Sequence, residues 1–503
     1  MEIYENRKWW VLGALSFGLL AVGLDMTVLN VALPTLAADL HASTGQLQWF
    51  ANAYNLVLAA ALLPAGMLGD RYGRKKFLLL ALVLFGAASL GCAYADTSEM
   101  LIVMRAALGL GAAFLIPLSM SALPVLFAEK ERTKATTIWA SANMLGIPLG
   151  PIVGGWLLKH YAWGSVFLIN LPFVAVALIA VTALMPESRS ADRPPLDPIG
   201  IATSSAGLVG FTYGVTRIGE QGWGDVPAWI ALGAGLLIVA AFVLWQQRTS
   251  HPLIDLSLFG SRRFTWGALL ATLANFAIFG LLFVLPQYLQ AVGDVDTLGT
   301  GLRLLPLIGG LIVGAKVSDR LISAIGSKLN AAAGFAVIAA GLLIGTATDA
   351  SSGYGYVAVW ITVTGVGLGL ALPTAMDAAL GVLSAERSGV GSALIMALRQ
   401  VGGVIGVAIL GSTLNYNYRH GLHLDGLPDA VAGTVRQSVS AGVAVASKLH
   451  SQPLWDTVVH AFVHGMATML WVCGGIAVLG TFLTLIFLPR HAHRPETGHA
   501  KDA

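Results

Sequence analysis

Of 503 residues, 56% belong to the hydrophobic set and only 11% are charged, against about 45–50% apolar and about 25% charged in a soluble domain, which excludes a soluble globule. The net charge is +3, and the basic residues stand in short clusters between apolar runs rather than in one stripe, which excludes a nucleic-acid surface and points to membrane orientation. With a mean hydropathy of +0.76 and about 20 apolar residues consumed per crossing, the chain has room for roughly fourteen spans.

In chain order, uncharged stretches predict spans at roughly 9–34, 46–69, 77–95, 100–126, 135–158, 164–186, 199–217, 228–246, 264–289, 298–318, 329–347, 356–380, 389–414 and 461–488. The first is too long for a signal-peptide core, carries Asp25 and Asn30 and lacks a small-residue cleavage site, so it is expected to stay in the mature protein. Trp9-Trp10, Trp49-Phe50 and Trp163 read as interface anchors. The seventh and eighth spans follow the Pro-rich linker Arg193 to Pro198 and stand between two sets of six. The expected organisation is therefore an N-terminal six-helix bundle over 1–190, two inserted helices over 191–250 and a C-terminal six-helix bundle over 251–503. In the long connection 415–460, Val431, Val435, Val439 and Val443 recur every four residues after Pro428, which predicts one amphipathic helix capping the outer face. Cys92 and Cys473 fall inside apolar runs and read as small buried hydrophobes.

Orientation follows from Lys and Arg in the short connections. One side carries Arg7, Lys8, Arg71, Arg74, Lys75, Lys76, Lys130, Arg132, Lys134, Arg189, Arg193, Arg248, Arg262, Arg263, Arg320, Lys328, Arg387 and the basic tail; the other has Lys159, Arg217, Arg419, Arg436 and Lys448. The positive-inside rule then puts both termini in the cytoplasm. An Asp-Arg pair in the turn after the second span, Asp70-Arg71, recurs as Asp319-Arg320 after the tenth, as two parallel repeats would place it.

Charges inside apolar runs cost about 2.5–3.5 kcal/mol each even on the lenient insertion scale, so each needs a partner or a wet cavity. Asp25 and Arg105 fall at depths within about 5 Å of each other in the outer half, at 1.5 Å per residue, and can meet. Such a pair either handles a proton and a cation or fixes helix packing. Asp377 and Arg399, on consecutive spans, can meet as a second pair, the alternative being that Asp377 already touches cytoplasmic water and merely ends its helix. The turn holding Gly66, Gly69, Asp70, Arg71, Gly73 and Arg74 joins two helices tightly, with Asp70 placed to accept from a helix N-terminus and the cations at the anionic leaflet. In the fifth span Ala142, Gly146, Gly150 and Gly154 recur every four residues beside Pro151 and Gly155, a stripe that admits close backbone approach. Asn30, Trp49, Tyr54, Trp139, Asn143, Asn275, Phe276 and Tyr288 are candidates for the lining of a cavity that takes aromatic cations. His460 and His464 stand one helical turn apart, but without Cys or clustered carboxylates no metal site is expected.

Leu24-Asp25-Met26-Thr27-Val28-Leu29-Asn30-Val31-Ala32-Leu33-Pro34 resembles the first-span signature of the fourteen-span drug:proton antiporters of the major facilitator superfamily, the QacA/EmrB-like branch. Gly66 to Lys76 resembles the superfamily's loop 2–3 motif, and Gly146 to Gly155 resembles its antiporter motif. Arg105 to Gly111 is similar to the fourth-span motif, with Leu108 where a Gln is usual; Pro286 to Gln290 and Arg399 to Gly403 are also typical of the branch. The resemblance implies an all-α polytopic membrane protein with the major facilitator fold, two six-helix bundles plus two inserted helices. It also implies export of bulky amphipathic or cationic drugs and dyes from a bacterial cytoplasmic membrane, driven by inward proton flow and without a cofactor. Asp25 would be the coupling or cation-recognising carboxylate, Arg105 its partner, and Asp70 with Arg71 and Arg74 the cytoplasmic gate. Span thirteen lacks the acidic residue found in some relatives that take dications.

Two other functions fit the same residues: export of an endogenous lipid or metabolite, and a non-transporting receptor or scaffold. No phosphate-binding loop, HExxH or Gly-x-Ser-x-Gly elbow is present, which argues against an ATP-driven pump and a membrane-embedded enzyme.

Overall fold

The computed structural model describes residues 2–189, 197–250, 252–383, 388–424 and 427–489. The linker residues 193–196 and the basic tail from 490 lie outside the described residues, as do the side chains of Asn143 and Asp319. Every regular element described is helical. In the first half these are α1 (Glu2–Asp39), α2 (Thr44–Tyr72), α3 (Arg74–Ala93), α4 (Ser98–Leu126), α5 (Glu129–His160), α6 (Ser165–Leu168) and α7 (Asn170–Leu184). The inserted hairpin is α8 (Pro198–Gln221) and α9 (Val226–Arg248). A 3-10 turn (Leu256–Gly260) leads into α10 (Arg262–Ala291), α11 (Thr297–Arg303), α12 (Leu305–Gly345), α13 (Tyr354–Leu380), α14 (Ser388–Gly421), α15 (Asp429–Gln437), α16 (Val439–Lys448) and α17 (Gln452–Phe487).

Local chemistry sets these boundaries. Ser43 and Gln46 form a capping box at the start of α2, and Thr97 caps α4. Asp197 and Asp225 cap α8 and α9, each followed by a proline in the first turn. Gly73, at φ +128°, separates α2 from α3 in a backbone conformation that a side chain would strain.

Twelve helical stretches among the described residues are long and apolar enough to cross a membrane. α5 and α8 stand at the two other predicted positions but are not among the twelve. α5 opens on Lys130, Glu131, Arg132 and Lys134, and α8 carries Thr203, Ser204, Ser205, Thr212, Thr216 and Arg217.

α1 to α7 form one bundle, α10 to α14 with α17 a second, and α8–α9 leans on both through α2 and α14. One apolar core runs through both bundles, with Phe50, Phe85 and Phe167 among its large members in the first and Phe283, Phe335, Trp360 and Phe462 in the second. The outward face of α9 leaves Ile230, Leu236, Leu237 and Leu244 exposed, as suits a helix in contact with acyl chains.

Three predicted features take a different form. The turn expected at Gly314 to Arg320 falls later: α12 runs through these residues to a break at Gly326, at φ +85°. The single amphipathic helix expected in the long connection is two helices, α15 and α16, separated by extended Ser438. A stripe repeating every four residues drifts by about 40° per step around a helix of 3.6 residues per turn, and the break lets Val435 and Val439 both be buried. Tyr418 fixes it, its hydroxyl donating to the carbonyls of Val435 at 2.8 Å and Ser438 at 3.2 Å. The connection itself is shorter than 415–460, because α14 continues to Gly421 and α17 begins at Gln452; His460 and His464 therefore sit, exposed, within α17.

The inserted hairpin is anchored at its base by Asp197. The buried carboxylate accepts from the Gly200 amide (2.8 Å), Trp245 Nε1 (2.9 Å) and Gln246 Nε2 (2.6 Å). Burial pushes this carboxyl up, but the donors together bring it below the usual Asp value. The stability it supplies is therefore full above the ordinary Asp range and lost as pH falls through the lowered value. Asp197→Ala is expected to destabilise the hairpin by about 1–3 kcal/mol, as leaving buried donors unpaired does. Proteolysis of the α8–α9 segment in detergent checks this; wild-type resistance would contradict it.

Candidate functional site

In the first bundle, α1 presents Asp25 and α4 presents Arg105, with 0% and 1% exposure. Arg105 Nη1 lies 2.5 Å from Asp25 Oδ2, and its Nε donates to the Phe50 carbonyl at 3.0 Å. The guanidinium also stands over the Tyr54 ring, 4.7 Å from its centroid, and 6.0 Å from that of Phe167. Asn170, at the start of α7, donates to Asp25 Oδ1 at 3.4 Å and to Ser89 Oγ at 3.2 Å. Residues from α1, α2, α3, α4 and the α6–α7 segment thus gather around one carboxylate. Tyr54 Oη and Asn170 Oδ1 are buried beside it without a hydrogen-bond partner among the described residues. Sequence reasoning missed Asn170 and Ser89, although Asn170 interrupts the apolar run Phe167 to Leu171 and that interruption was a readable signal.

The expected second pair does not form. Arg399 directs Nε and Nη2 to Asn275 Oδ1, at 3.3 and 3.2 Å, and Asn275 Nδ2 returns a bond to the Arg399 carbonyl at 3.0 Å. Asp377 is exposed and makes no ion pair among the described residues. The reason is direction: Asp377 follows Met376, whose sulfur faces Nη1 of Arg399 at 3.5 Å, and the next residue on a helix is turned by about 100°.

Near the end of α2, Gly69 lies so close to α4 that a Cβ there would meet Leu118 Cδ2 at 2.1 Å, whereas Gly66 has ordinary room beside Pro117. Asp70 accepts from Arg74 Nε at 2.7 Å rather than from a helix N-terminus. That role belongs to Glu187, whose carboxylate accepts from the amides of Lys75 and Lys76 at the start of α3. Arg71 stacks over Tyr72.

The small-residue stripe of α5 has two neighbours. A Cβ on Gly146, Gly150 or Gly154 would strike Gly23, Thr27 or Val28 of α1. Gly155 and Pro151 face α11 of the other bundle: a Cβ on Gly155 would lie 2.4 Å from the Thr297 carbonyl oxygen, and one on Gly301 would lie 2.1 Å from that of Pro151. The stripe therefore serves both packing within a bundle and the seam between bundles.

This seam lies at the end opposite the basic turns, here the far end. There Lys159 Nζ meets Asp296 Oδ2 at 2.7 Å, Thr297 Oγ1 donates to the Gly155 carbonyl at 3.0 Å, and Gln290 Nε2 donates to the Val31 carbonyl at 2.9 Å. On the opposite flank Thr44 Oγ1 donates to the Gln437 carbonyl at 3.0 Å, and Gly411 of α14 admits the Gln48 side chain. Contacts thus join the two bundles on both flanks of the far end.

Among the cavity candidates, Tyr54 lies beneath Arg105, and Trp139 donates to Ser119 Oγ at 2.9 Å within the first bundle. Asn30 bonds back to the Met26 carbonyl, Tyr288 donates to the Asp349 carbonyl at the far end, and Phe276 is buried in the core. Trp49 is half-buried and Asn275 belongs to Arg399.

The Asp296 carboxyl is held below the usual value, first by its bond from Lys159 and then by the Gly299 amide. The closure it favours is thus complete above the ordinary Asp value of about 4 and fades as pH falls through the lowered one. Spin labels at the exposed far-end positions His41 and Leu449 read this opening. The difference in their separation between wild type and Asp296→Asn is expected to be small, because the pair is exposed, and constant from about pH 5 to pH 8. A difference that vanishes within that window would contradict the assignment.

A sequence model described as Major Facilitator Superfamily matches residues 15–407. The chain is 31% identical over 495 residues to the tetracenomycin C resistance and export protein of Streptomyces glaucescens, covering 96% of this chain and 92% of that one. It is 30% identical over 481 residues to the methyl viologen resistance protein SmvA of Salmonella typhimurium (94% and 97%), and 32% over 472 residues to the multidrug efflux pump LfrA of Mycolicibacterium smegmatis (92% of each). In fold it is similar to a bacterial homologue of the human lysosomal transporter Spinster, in an inward-facing and unoccupied conformation, with a TM-score of 0.69 at 16% identity over 97% of this chain and 99% of that one. A D-xylose–proton symporter superposes with a TM-score of 0.62 at 15% identity, covering 96% and 98%.

Proposed function

From the premise that this chain belongs to the major facilitator superfamily, we propose that it is a proton-coupled antiporter exporting bulky amphipathic or cationic compounds across a bacterial cytoplasmic membrane. The observation that carries the reading is the Asp25–Arg105 pair, a titratable carboxylate held at zero exposure against a guanidinium and an amide. A buried carboxylate with a dissociable partner can alternate between an ionised, paired state and a protonated, released one, which is what exchange of a proton for a cation requires. The names of the relatives, which speak of resistance, export and efflux, support a drug-like cargo.

In this reading the basic end faces the cytoplasm, both termini lie there, and α5 and α8 complete fourteen spans. Residues 1–190 and 251–503 are the rocking units, with the hairpin of 191–250 between them. The joined far end then closes the molecule to the outside, the state from which it accepts cargo. Arg105 is the partner of Asp25, Arg399 with Asn275 places a guanidinium in the second bundle, and the Asp70–Arg74 turn gates the cytoplasmic end. Asp377 lies apart from this machinery.

Dye accumulation in everted membrane vesicles tests the proposal. Energised vesicles are expected to concentrate a cationic dye such as ethidium, and a protonophore is expected to abolish the gradient. Uptake indifferent to the protonophore, or no uptake beyond empty-vector vesicles, would overturn it.

A further inference from the structure

A cavity of about 270 Å³ opens at the far end, where the tip of the inserted hairpin meets the second bundle and the connection above it. Its walls are the end of α8 (Gly219 to Gly222), the last turn of α14 (Tyr416, Arg419, His420) and Arg436 of α15. Arg419 spends one nitrogen on the Glu220 carbonyl. The rest of its fork, and all of Arg436, makes no ion pair among the described residues. The one carboxylate in the wall, Glu220, accepts from Ser43 Oγ of α2 at 2.9 Å. His420 points Nδ1 at the Tyr416 carbonyl, 2.8 Å away, and its ring rests 4.0 Å from the Tyr416 ring centroid. Two guanidinium groups against one carboxylate leave the cavity cationic.

The setting identifies the anion. Guanidinium forks match phosphate oxygens in geometry as well as charge, and a basic pocket at the end of a membrane-spanning hairpin presents them at the depth of the lipid headgroups. Directly beyond Gly222, Trp223 and Trp229 are both exposed, their rings 5.9 Å apart, and Trp229 Nε1 donates to the Trp223 carbonyl. An exposed tryptophan pair at the end of an apolar hairpin marks the headgroup level, so the cavity opens where lipid phosphates lie.

We propose that the cavity bounded by Arg419, Arg436 and the end of α8 binds the phosphate of an anionic lipid, and that the bound group clamps the far end shut. The occupant bridges α14 and α15 of the second bundle to the end of α8, which Glu220 and Ser43 join to α2 of the first. Filling the cavity therefore favours the joined arrangement and slows its opening.

The test uses the full chain purified in mild detergent, with binding rather than efflux as the readout, so its failure leaves the transport reading untouched. Arg436→Gln removes a charge from an exposed position and so spares folding; Arg419→Gln is the second variant. By native mass spectrometry, wild type is expected to retain one more phosphatidylglycerol than Arg436→Gln at matched lipid. Phosphatidylglycerol, unlike phosphatidylcholine, is expected to raise the melting temperature of wild type and to do so at least threefold less per mole in either variant. If millimolar inorganic phosphate reproduces the stabilisation in wild type alone, the source is the free anion; if only the lipid does, it is the headgroup. Equal retention and equal stabilisation in wild type and both variants would overturn the site.

Discussion

Asp25→Asn is expected to abolish protonophore-sensitive efflux, a loss of at least tenfold in dye gradient, while the protein still inserts. The amide keeps the volume of the carboxyl, and Asn170 can still reach it, but no proton can be carried and Arg105 loses its counter-charge. An uncompensated buried charge costs about 3–5 kcal/mol, so lower thermal stability is expected as well. Stability alone therefore cannot separate a coupling role from a packing role. The double variant Asp25→Asn/Arg105→Gln does so, because it removes the stranded cation. It is expected to recover most of the lost stability and none of the transport. Recovery of both would make the pair a packing device. Asp25→Glu, with a carboxyl displaced by one methylene, is expected to keep partial transport.

Gly301→Ala is expected to lower transport at least tenfold from a site that touches no charge. The added methyl would lie 2.1 Å from the Pro151 carbonyl oxygen and 2.7 Å from its carbon, and both sides of that contact are backbone, so neither can rotate away. α5 and α11 must separate, and the Lys159–Asp296 contact and the Thr297 bond to Gly155 separate with them. The His41–Leu449 label distance should lengthen toward the open far end. Gly309→Ala is the control, since nothing lies within 4 Å of the position its Cβ would take. An unchanged distance in Gly301→Ala, or an equal effect of Gly309→Ala, would show that close approach here does not govern closure.

Much of the helix plan was legible because hydrophobic runs and their lengths are local. Charges inside those runs marked Asp25 and Arg105 for the same reason: a buried charge needs a partner, and comparable depth on helices that the fold brings together was enough to pair them. The same reasoning failed for Asp377 and Arg399. Depth says nothing about azimuth, and one residue's rotation gave Arg399 to Asn275 and left Asp377 in the open. Glu187 escaped notice because its amide partners lie more than a hundred residues away and no sequence spacing encodes that meeting. The valine stripe was read with the right residues facing inward but as one helix; the interruption depends on Tyr418, which reaches it from α14.

The inserted hairpin touches the two bundles unequally. Near the far end α8 accepts from Ser412, Asn415 and Arg419 of α14 through the carbonyls of Val215, Gly219 and Glu220, and reaches α2 through the Ser43–Glu220 bond. The flank between α5 and α11 has no third helix laid across it; it is joined directly, by the Lys159–Asp296 pair and the Thr297 bond to Gly155. A joint splinted by a third helix on one side and held on the other by one exposed ion pair and one hydrogen bond parts as a door swings, along the unsplinted edge. In the proposed export cycle the α5–α11 flank would then be the edge along which the far end opens to release cargo, and the hairpin the doorpost that keeps acyl chains from intruding on the other.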